Sequence, residues 1–247
     1  VRRWHNRGVI EELIPAPASA AHTRVDSAAA VRALFPEEAA AVARAVPKRR
    51  QEYASVRMCA RLAMGALGVP SVALLSGRRG APRWPEGLVG SMTHCAGYRA
   101  AVVGRVSDYR GLGIDAEPNS PLPEDVLEYV SLPQERDRLR ALGAAAPDVC
   151  WDRLLFSAKE AVFKVWYPLT GRELDFGEAD VRIDAGAGTS APGPYASGTF
   201  SADVLIPAGG PDGAHLKLLE GRWLCRDGLV VTAIALRRRT DGPPPGR

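Results

Sequence analysis

The sequence predicts an α+β fold, and three observations carry that reading. Helical and strand-like segments are mixed along the chain without the regular alternation of a parallel α/β protein. Each half holds one long helical stretch, at residues 47–67 and 151–167. Each half also holds several short runs of the apolar, β-branched kind that form strands. No internal sequence repeat is visible, so a structural duplication of the halves stays open at this level. The 247 residues suit one large domain or two of about 120 residues each.

The elements follow in order. Residues 1–27 read as irregular, rich in Pro and Ala. Residues 27–46 read as helical, interrupted by Pro36, with Glu37 and Glu38 suited to a helix N-terminus. Pro47 opens a second helix, which Gly68 and Pro70 end. Residues 72–75 read as a short strand, followed by the polar turn Ser76-Gly77-Arg78-Arg79-Gly80-Ala81-Pro82. Residues 88–93 and 99–106 form a strand pair around Ala96-Gly97, and 112–117 a further strand ended by Pro118. Residues 122–142 are helical in pieces, broken at Pro133. The helix 151–167 carries Leu154, Leu155, Ala158, Val162 and Val165 on one apolar face and stops at Pro168 and Gly171. Strands follow near 181–183, 200–206, 216–219, 222–226 and 229–236. The Gly/Pro/Ser tract 185–198 reads as a loop, and 237–247 as a disordered tail.

Composition narrows the class. No apolar run reaches the roughly 18 residues of a membrane helix, and the basic start has no apolar run of signal-peptide length behind it. A cytoplasmic protein is the expectation. Cys59, Cys95, Cys150 and Cys225 stand far apart and form no zinc-like spacing, which reads as reduced, buried thiols. The net charge of +4 suits an anionic ligand or an acidic partner and is too small to argue for nucleic acid. Only four of the 32 basic residues are lysine, and two of them, Lys159 and Lys164, fall in one motif.

The candidate chemistry lies in a few constellations. Asp115 and Glu117 alternate on a strand, so both carboxylates share a face. Oxygen ligands of that kind suit Mg²⁺. Glu160 and Lys164 are one helical turn apart and share a face. Arg50, Arg57 and Arg61 form a stripe on the second helix, with Arg49 on its flank, and arginine grips phosphate bidentately. Arg78 and Arg79 stand beside glycine in the 76–82 turn, where backbone amides also meet anions. The turn lacks the spacing of a nucleotide P-loop. Ser91-Met92-Thr93-His94 ends a strand with groups able to hold phosphate oxygens. Taken singly, each has an ordinary structural explanation. Together they supply a metal site, a base and cations, the parts phosphoryl-type transfer asks for.

Gly-Ile-Asp-Ala-Glu-Pro at 113–118, about forty residues before Phe-Ser-Ala-Lys-Glu-Ala-Val-Phe-Lys at 156–164, resembles the paired signature of the 4′-phosphopantetheinyl transferases. The likeness is to the Sfp and EntD type in its actinobacterial form. It also takes in Arg49-Arg50-Gln51-Glu52-Tyr53, Val56–Arg61, Trp84–Cys95 and Trp166–Gly171, and extends over about residues 35–236.

The resemblance implies two similar α+β halves with the active site between them: 1–110 for the coenzyme A phosphates and adenine, 111–236 for metal and catalysis. It implies transfer of the phosphopantetheine arm of coenzyme A to a serine of apo acyl or peptidyl carrier proteins, with release of adenosine 3′,5′-bisphosphate. Asp115, Glu117 and Glu160 would hold Mg²⁺, or Mn²⁺ in its place. Glu160 would also serve as base, and Lys164 would neutralise the pyrophosphate. Arg49, Arg57 and the turn Ser76, Gly77, Arg78, Arg79 would take the 3′-phosphate and adenine end, with Thr93, His94 and Lys159 also binding coenzyme A. Leu174 would line the channel of the pantetheine arm. The family turn usually offers lysine; here Ser76 stands at one such place, and Arg79 precedes Gly80-Ala81-Pro82 at the other. The stretch 122–130 is amphipathic and suits docking of a carrier helix. A monomer without nucleic-acid or membrane partners is expected. Two alternatives remain: a coenzyme A pyrophosphohydrolase, and a non-enzymatic module binding RNA or acidic proteins.

Overall fold

The computed structural model describes residues 8–186, 195–208 and 216–238. It opens with helix α1 (Val9–Leu13) and strand β1 (Ser19–Thr23), in the stretch expected to be irregular. Neither has a local signal. The helix is a single turn, and Ser-Ala-Ala-His-Thr becomes a strand only through a distant partner. Helices α2 (Ala28–Arg32) and α3 (Pro36–Ala41) divide at Pro36, and α4 (Pro47–Ala66) starts at Pro47. Residues 72–75 are not a strand. Leu74 is buried against α4, and its N–H donates to Glu38 Oε1 at 2.8 Å, so the segment is spoken for by a helix rather than a ladder. Only an isolated bridge, Ser76 to Pro82, closes the turn beyond it.

Strands β2 (Leu88–Cys95), β3 (Tyr98–Arg105) and β4 (Tyr109–Pro118) follow. Helices α5 (Glu124–Val130) and α6 (Pro133–Ala145) divide at Pro133, the first helical residue of α6. Helix α7 (Trp151–Thr170) contains Pro168, which was expected to stop it. That residue lies in the last turn, where its ring forfeits a single backbone bond, and the helix ends instead at Gly171 in the left-handed region. Strands β5 (Ala179–Ala185), β6 (Ala196–Val204), β7 (Leu218–Arg226) and β8 (Leu229–Arg237) complete the chain. The expected strands 216–219 and 222–226 are one strand, because Gly221 does not turn the chain. A Cβ there would stand 2.2 Å from the Phe200 ring, so glycine makes room for a cross-sheet aromatic. Residues 196–198, expected in the loop, are strand. Of the loop and tail expectations, 187–194 and 239–247 lie outside the described residues, while Arg237 belongs to β8.

Two antiparallel sheets result. One has the order β1-β3-β2, the other β4-β8-β7-β6-β5. Helix α4 covers the first through Cys59, Ala60, Ala63 and Met64 against Ala101 and Val103. Helix α7 covers the second through Leu154, Leu155, Ala158, Ala161, Val162 and Val165. The expected apolar face of that helix is therefore its buried face. A third core lies between the sheets, where Tyr98, Ala100 and Val102 meet Ile114, Ala116 and Val231, and α1 plugs it with Val9, Ile10 and Leu13. The fold is α+β with an N-terminal and a C-terminal part, each a sheet covered by one long helix.

The seam between the parts runs along β2 and β4, and side-chain hydroxyls hold it. The Ile114 N–H donates to Ser91 Oγ at 3.1 Å and the Ala116 N–H to Thr93 Oγ1 at 3.2 Å. These amides face away from β8 and would otherwise be orphaned in the interior. On its other side β4 packs tightly on α7. A Cβ at Gly113 would meet the Ala161 carbonyl at 2.2 Å, so only glycine allows this approach.

Candidate active site

Strand β4 and helix α7 bring their signature residues to one place. A cavity of about 690 Å³ opens between the two parts, and Arg49, Arg57, Ser76, Arg79, Thr93, His94, Asp115, Glu117, Glu160 and Lys164 all line it. Alternation on β4 sends Ile114 and Ala116 to the core and leaves Asp115 and Glu117 for the cavity. Helical spacing puts Glu160 and Lys164 on the face opposite the buried one.

Asp115 is the centre of the arrangement. Its Oδ1 accepts from Lys164 Nζ at 2.7 Å and from Thr93 Oγ1 at 3.0 Å. Lys164 also donates to the Ile114 carbonyl at 3.1 Å. Glu117 accepts from Arg153 at 3.3 Å. Burial first, and then the neighbouring Asp115, push the Glu117 carboxyl up to about 7 against the pull of Arg153 and Lys164. Burial likewise raises Glu160, with Lys164 opposing.

Among the described residues, no three Asp, Glu, His or Cys side chains stand close enough to hold a metal as placed. The local chemistry nevertheless fits a hard divalent cation. Asp115 Oδ2 is buried without a hydrogen-bond partner, and burial first, with the charge of Asp115 behind it, raises the neighbouring Glu117 and Glu160 carboxyls. Every donor offered is an oxygen, the set that magnesium takes.

The basic side of the cavity differs from the expected stripe. Arg49 and Arg57 line it, whereas Arg50 and Arg61 do not. Arg61 is committed to the fully buried Glu38, with both carboxylate oxygens at 3.0 Å. Arg57 is buried: it stacks on Tyr53, donates to the Leu74 carbonyl at 3.1 Å and to Ser76 Oγ at 3.1 Å, and desolvation lowers its pKa. Arg49 Nη1 donates to His94 Nε2 at 2.8 Å. Burial and then Arg49 depress the pKa of His94, which therefore stands neutral as acceptor. Arg79 bonds Glu173 across the mouth at 2.6 Å. Gly77 and Arg78 belong to the same turn but do not line the cavity.

Lys159 and Leu174 sit elsewhere. They line a smaller cavity of about 190 Å³ with Asp175, Phe176 and Ala179, adjoining the first at Glu160 and Phe163. Lys159 is buried and committed, at 2.7 Å from both Glu135 Oε2 and the Phe176 carbonyl. Desolvation lowers its pKa and the Glu135 carboxylate opposes this.

Sequence reasoning missed Tyr53, Trp84, Phe156, Phe163 and Tyr167 as cavity residues. Three of them had a signal. Phe156 stands one turn before Glu160, and Phe163 and Tyr167 one and two turns after it, so the face that shows Glu160 shows them too. Phe163 and Tyr167 stack at 5.5 Å between ring centres. The four described cysteines carry no disulfide.

Comparison with known proteins identifies the family. Residues 37–104 match the family model for the 4′-phosphopantetheinyl transferase N-terminal domain, and residues 111–204 that for the 4′-phosphopantetheinyl transferase superfamily. The chain is 57% identical over 229 residues to 4′-phosphopantetheinyl transferase Svp of Streptomyces mobaraensis, covering 92% of this chain and 89% of the relative. It is 50% identical over 203 residues to 4′-phosphopantetheinyl transferase PptT of Mycobacterium tuberculosis, covering 82% and 86%. Enterobactin synthase component D of Salmonella typhimurium is 28% identical over 190 residues, covering 76% and 72%. With two matching family models in the right order and relatives of 50–57% identity covering more than four fifths of both chains, the chain belongs to the 4′-phosphopantetheinyl transferases.

Proposed function

We propose that the cavity between the parts binds coenzyme A with its nucleotide end against residues 1–110 and its pyrophosphate against residues 111–236. The observation that carries this reading is the meeting of Asp115, Glu117, Glu160 and Lys164 with Arg49, Arg57 and Arg79 around one space. Three arginines suit the 3′-phosphate and adenine end. Neutral His94 accepts a hydrogen bond from Arg49 and so orients that guanidinium. The smaller cavity at Leu174 and Phe176 suits the uncharged pantetheine arm, since Lys159 is already neutralised there by Glu135.

Asp115, Glu117 and Glu160 are the residues to hold Mg²⁺ or Mn²⁺. A bound divalent cation supplies charge neutralisation on the pyrophosphate. Glu160, raised by burial, takes the proton of the carrier serine hydroxyl. The serine oxygen bonds to the phosphorus that bears the pantetheine arm. The bond from that phosphorus to the bridging oxygen breaks, and adenosine 3′,5′-bisphosphate leaves with its new charge facing Lys164. The acceptors are apo acyl and peptidyl carrier proteins, whose acidic surfaces suit a basic enzyme. A monomeric enzyme of the cytoplasm is consistent with a site whose two sides come from one chain.

The test incubates the protein with coenzyme A, Mg²⁺ and an apo carrier protein and weighs the intact carrier. Its mass should rise by one phosphopantetheine group. Coenzyme A cleavage that proceeds without any carrier would favour a pyrophosphohydrolase instead.

A further inference from the structure

Arg153 has no part in the chemistry above, yet it is wired to the metal strand. It lies in the first turn of α7 and is largely buried. Its Nε donates to the Ser120 carbonyl at 3.0 Å and its Nη2 to the Pro121 carbonyl at 3.0 Å. Its Nη1 reaches Glu117 Oε2 at 3.3 Å. The neighbouring residues bind the same segment. Asp152 Oδ2 accepts from the Leu122 N–H at 2.7 Å, and Asn119 Oδ1 accepts from the Cys150 N–H at 2.8 Å. The chain leaving β4 is thus pinned to the start of α7, the helix that carries Glu160 and Lys164 two and three turns further on.

The order of these contacts matters. Two backbone carbonyls set the plane of the guanidinium whether or not Glu117 is engaged. The third donor is therefore presented at a fixed place, to one oxygen of a carboxylate that lines the cavity. We infer that Arg153 is a positioning residue for Glu117: it holds Oε2 and leaves the other carboxylate oxygen free for the cation. The inference rests on the reading of Asp115, Glu117 and Glu160 as metal carboxylates. A partner of this kind orients a ligand, and its loss typically costs about 10–100-fold in metal affinity. A guanidinium acting only by its charge would repel the cation, and its removal would tighten binding. The two roles differ in sign.

The experiment titrates Mn²⁺ into the full chain with saturating coenzyme A and no carrier protein, reading free Mn²⁺ by electron paramagnetic resonance. R153Q should bind Mn²⁺ about tenfold more weakly than the unsubstituted chain. In an E117Q background the same change should shift affinity less than about twofold, because a residue acting through Glu117 has nothing left to act on. If R153Q does not fold, R153K keeps the charge without the fork and should still bind more weakly. Unchanged or tighter Mn²⁺ binding in the folded variant, or a full loss repeated in the E117Q background, overturns the inference and leaves the metal reading intact. Failure of the unsubstituted chain to bind Mn²⁺ overturns both.

Discussion

Asp115 shows how much one carboxylate is asked to do. It accepts from Lys164 and Thr93 on one oxygen and keeps the other buried and unpartnered. Asp115→Ala should abolish transfer while circular dichroism shows the fold intact. Glu160→Gln should slow transfer by about 10²–10⁴-fold, the range for loss of a general base, measured as the rate of carrier mass gain. Glu117 gives a stability signature. Its folded carboxyl titrates at about 7, above the usual value of about 4.3 for an unfolded glutamate. Between those values the metal-free fold binds more protons than the unfolded chain, so its stability falls as pH rises through the window and levels off above it. Thermal melting from pH 4 to 8 should show that decline; E117Q should reduce it, leaving the share of Glu160, and added Mg²⁺ should shrink it. The acidic residues of this site were legible in sequence because alternation and helical period fix which neighbours share a face. The arginines were less so. A helical wheel groups Arg50, Arg57 and Arg61 but does not say what lies across from them, and the buried Glu38 claims Arg61 from 23 residues away.

At the scale of elements, β4 is held on three sides at once: by β8 through a ladder, by α7 through Gly113, and by β2 through hydroxyls. Gly113→Ala should destabilise the protein by about 1–3 kcal/mol or more, since the new methyl meets backbone rather than a movable side chain. Thr93→Val leaves the Ala116 N–H and Asp115 short of a partner and should cost about 1–3 kcal/mol. Urea melts measure both. The long elements, α4, α7 and the β2–β3 pair, could be read in advance because their patterns run for eight residues or more. The short strand β1 could not, because its five residues pair with β3 and nothing in Ser-Ala-Ala-His-Thr announces it. Helix α7 ran past Pro168 because a proline in a last turn has little left to break. The motif alone puts Lys159 with the coenzyme A contacts. Its actual partner, Glu135, sits on α6 and is invisible without the fold.

At the scale of the molecule, two sheets, each backed by a long helix, leave a large opening lined from both sides. Activity should therefore need the divalent cation and both parts together. Dialysis against EDTA should remove transfer, and Mg²⁺ or Mn²⁺ should restore it without refolding, followed by carrier mass and by circular dichroism. Light scattering with and without coenzyme A should give the mass of one chain. The division into two parts was legible from the two long helices, and their meeting only through the family resemblance, because α1 and the hydroxyl seam that join them leave no pattern in the sequence.

That seam has a consequence for precision. A ladder of backbone bonds accepts any sequence, and a strand that slips along it by two residues finds the same partners again. Ser91 and Thr93 offer oxygen at two points only, and the amides of Ile114 and Ala116 are the ones that meet them. The join works like a key with two teeth. It admits one alignment, and that alignment sets where Asp115 stands against the opposite wall of the cavity.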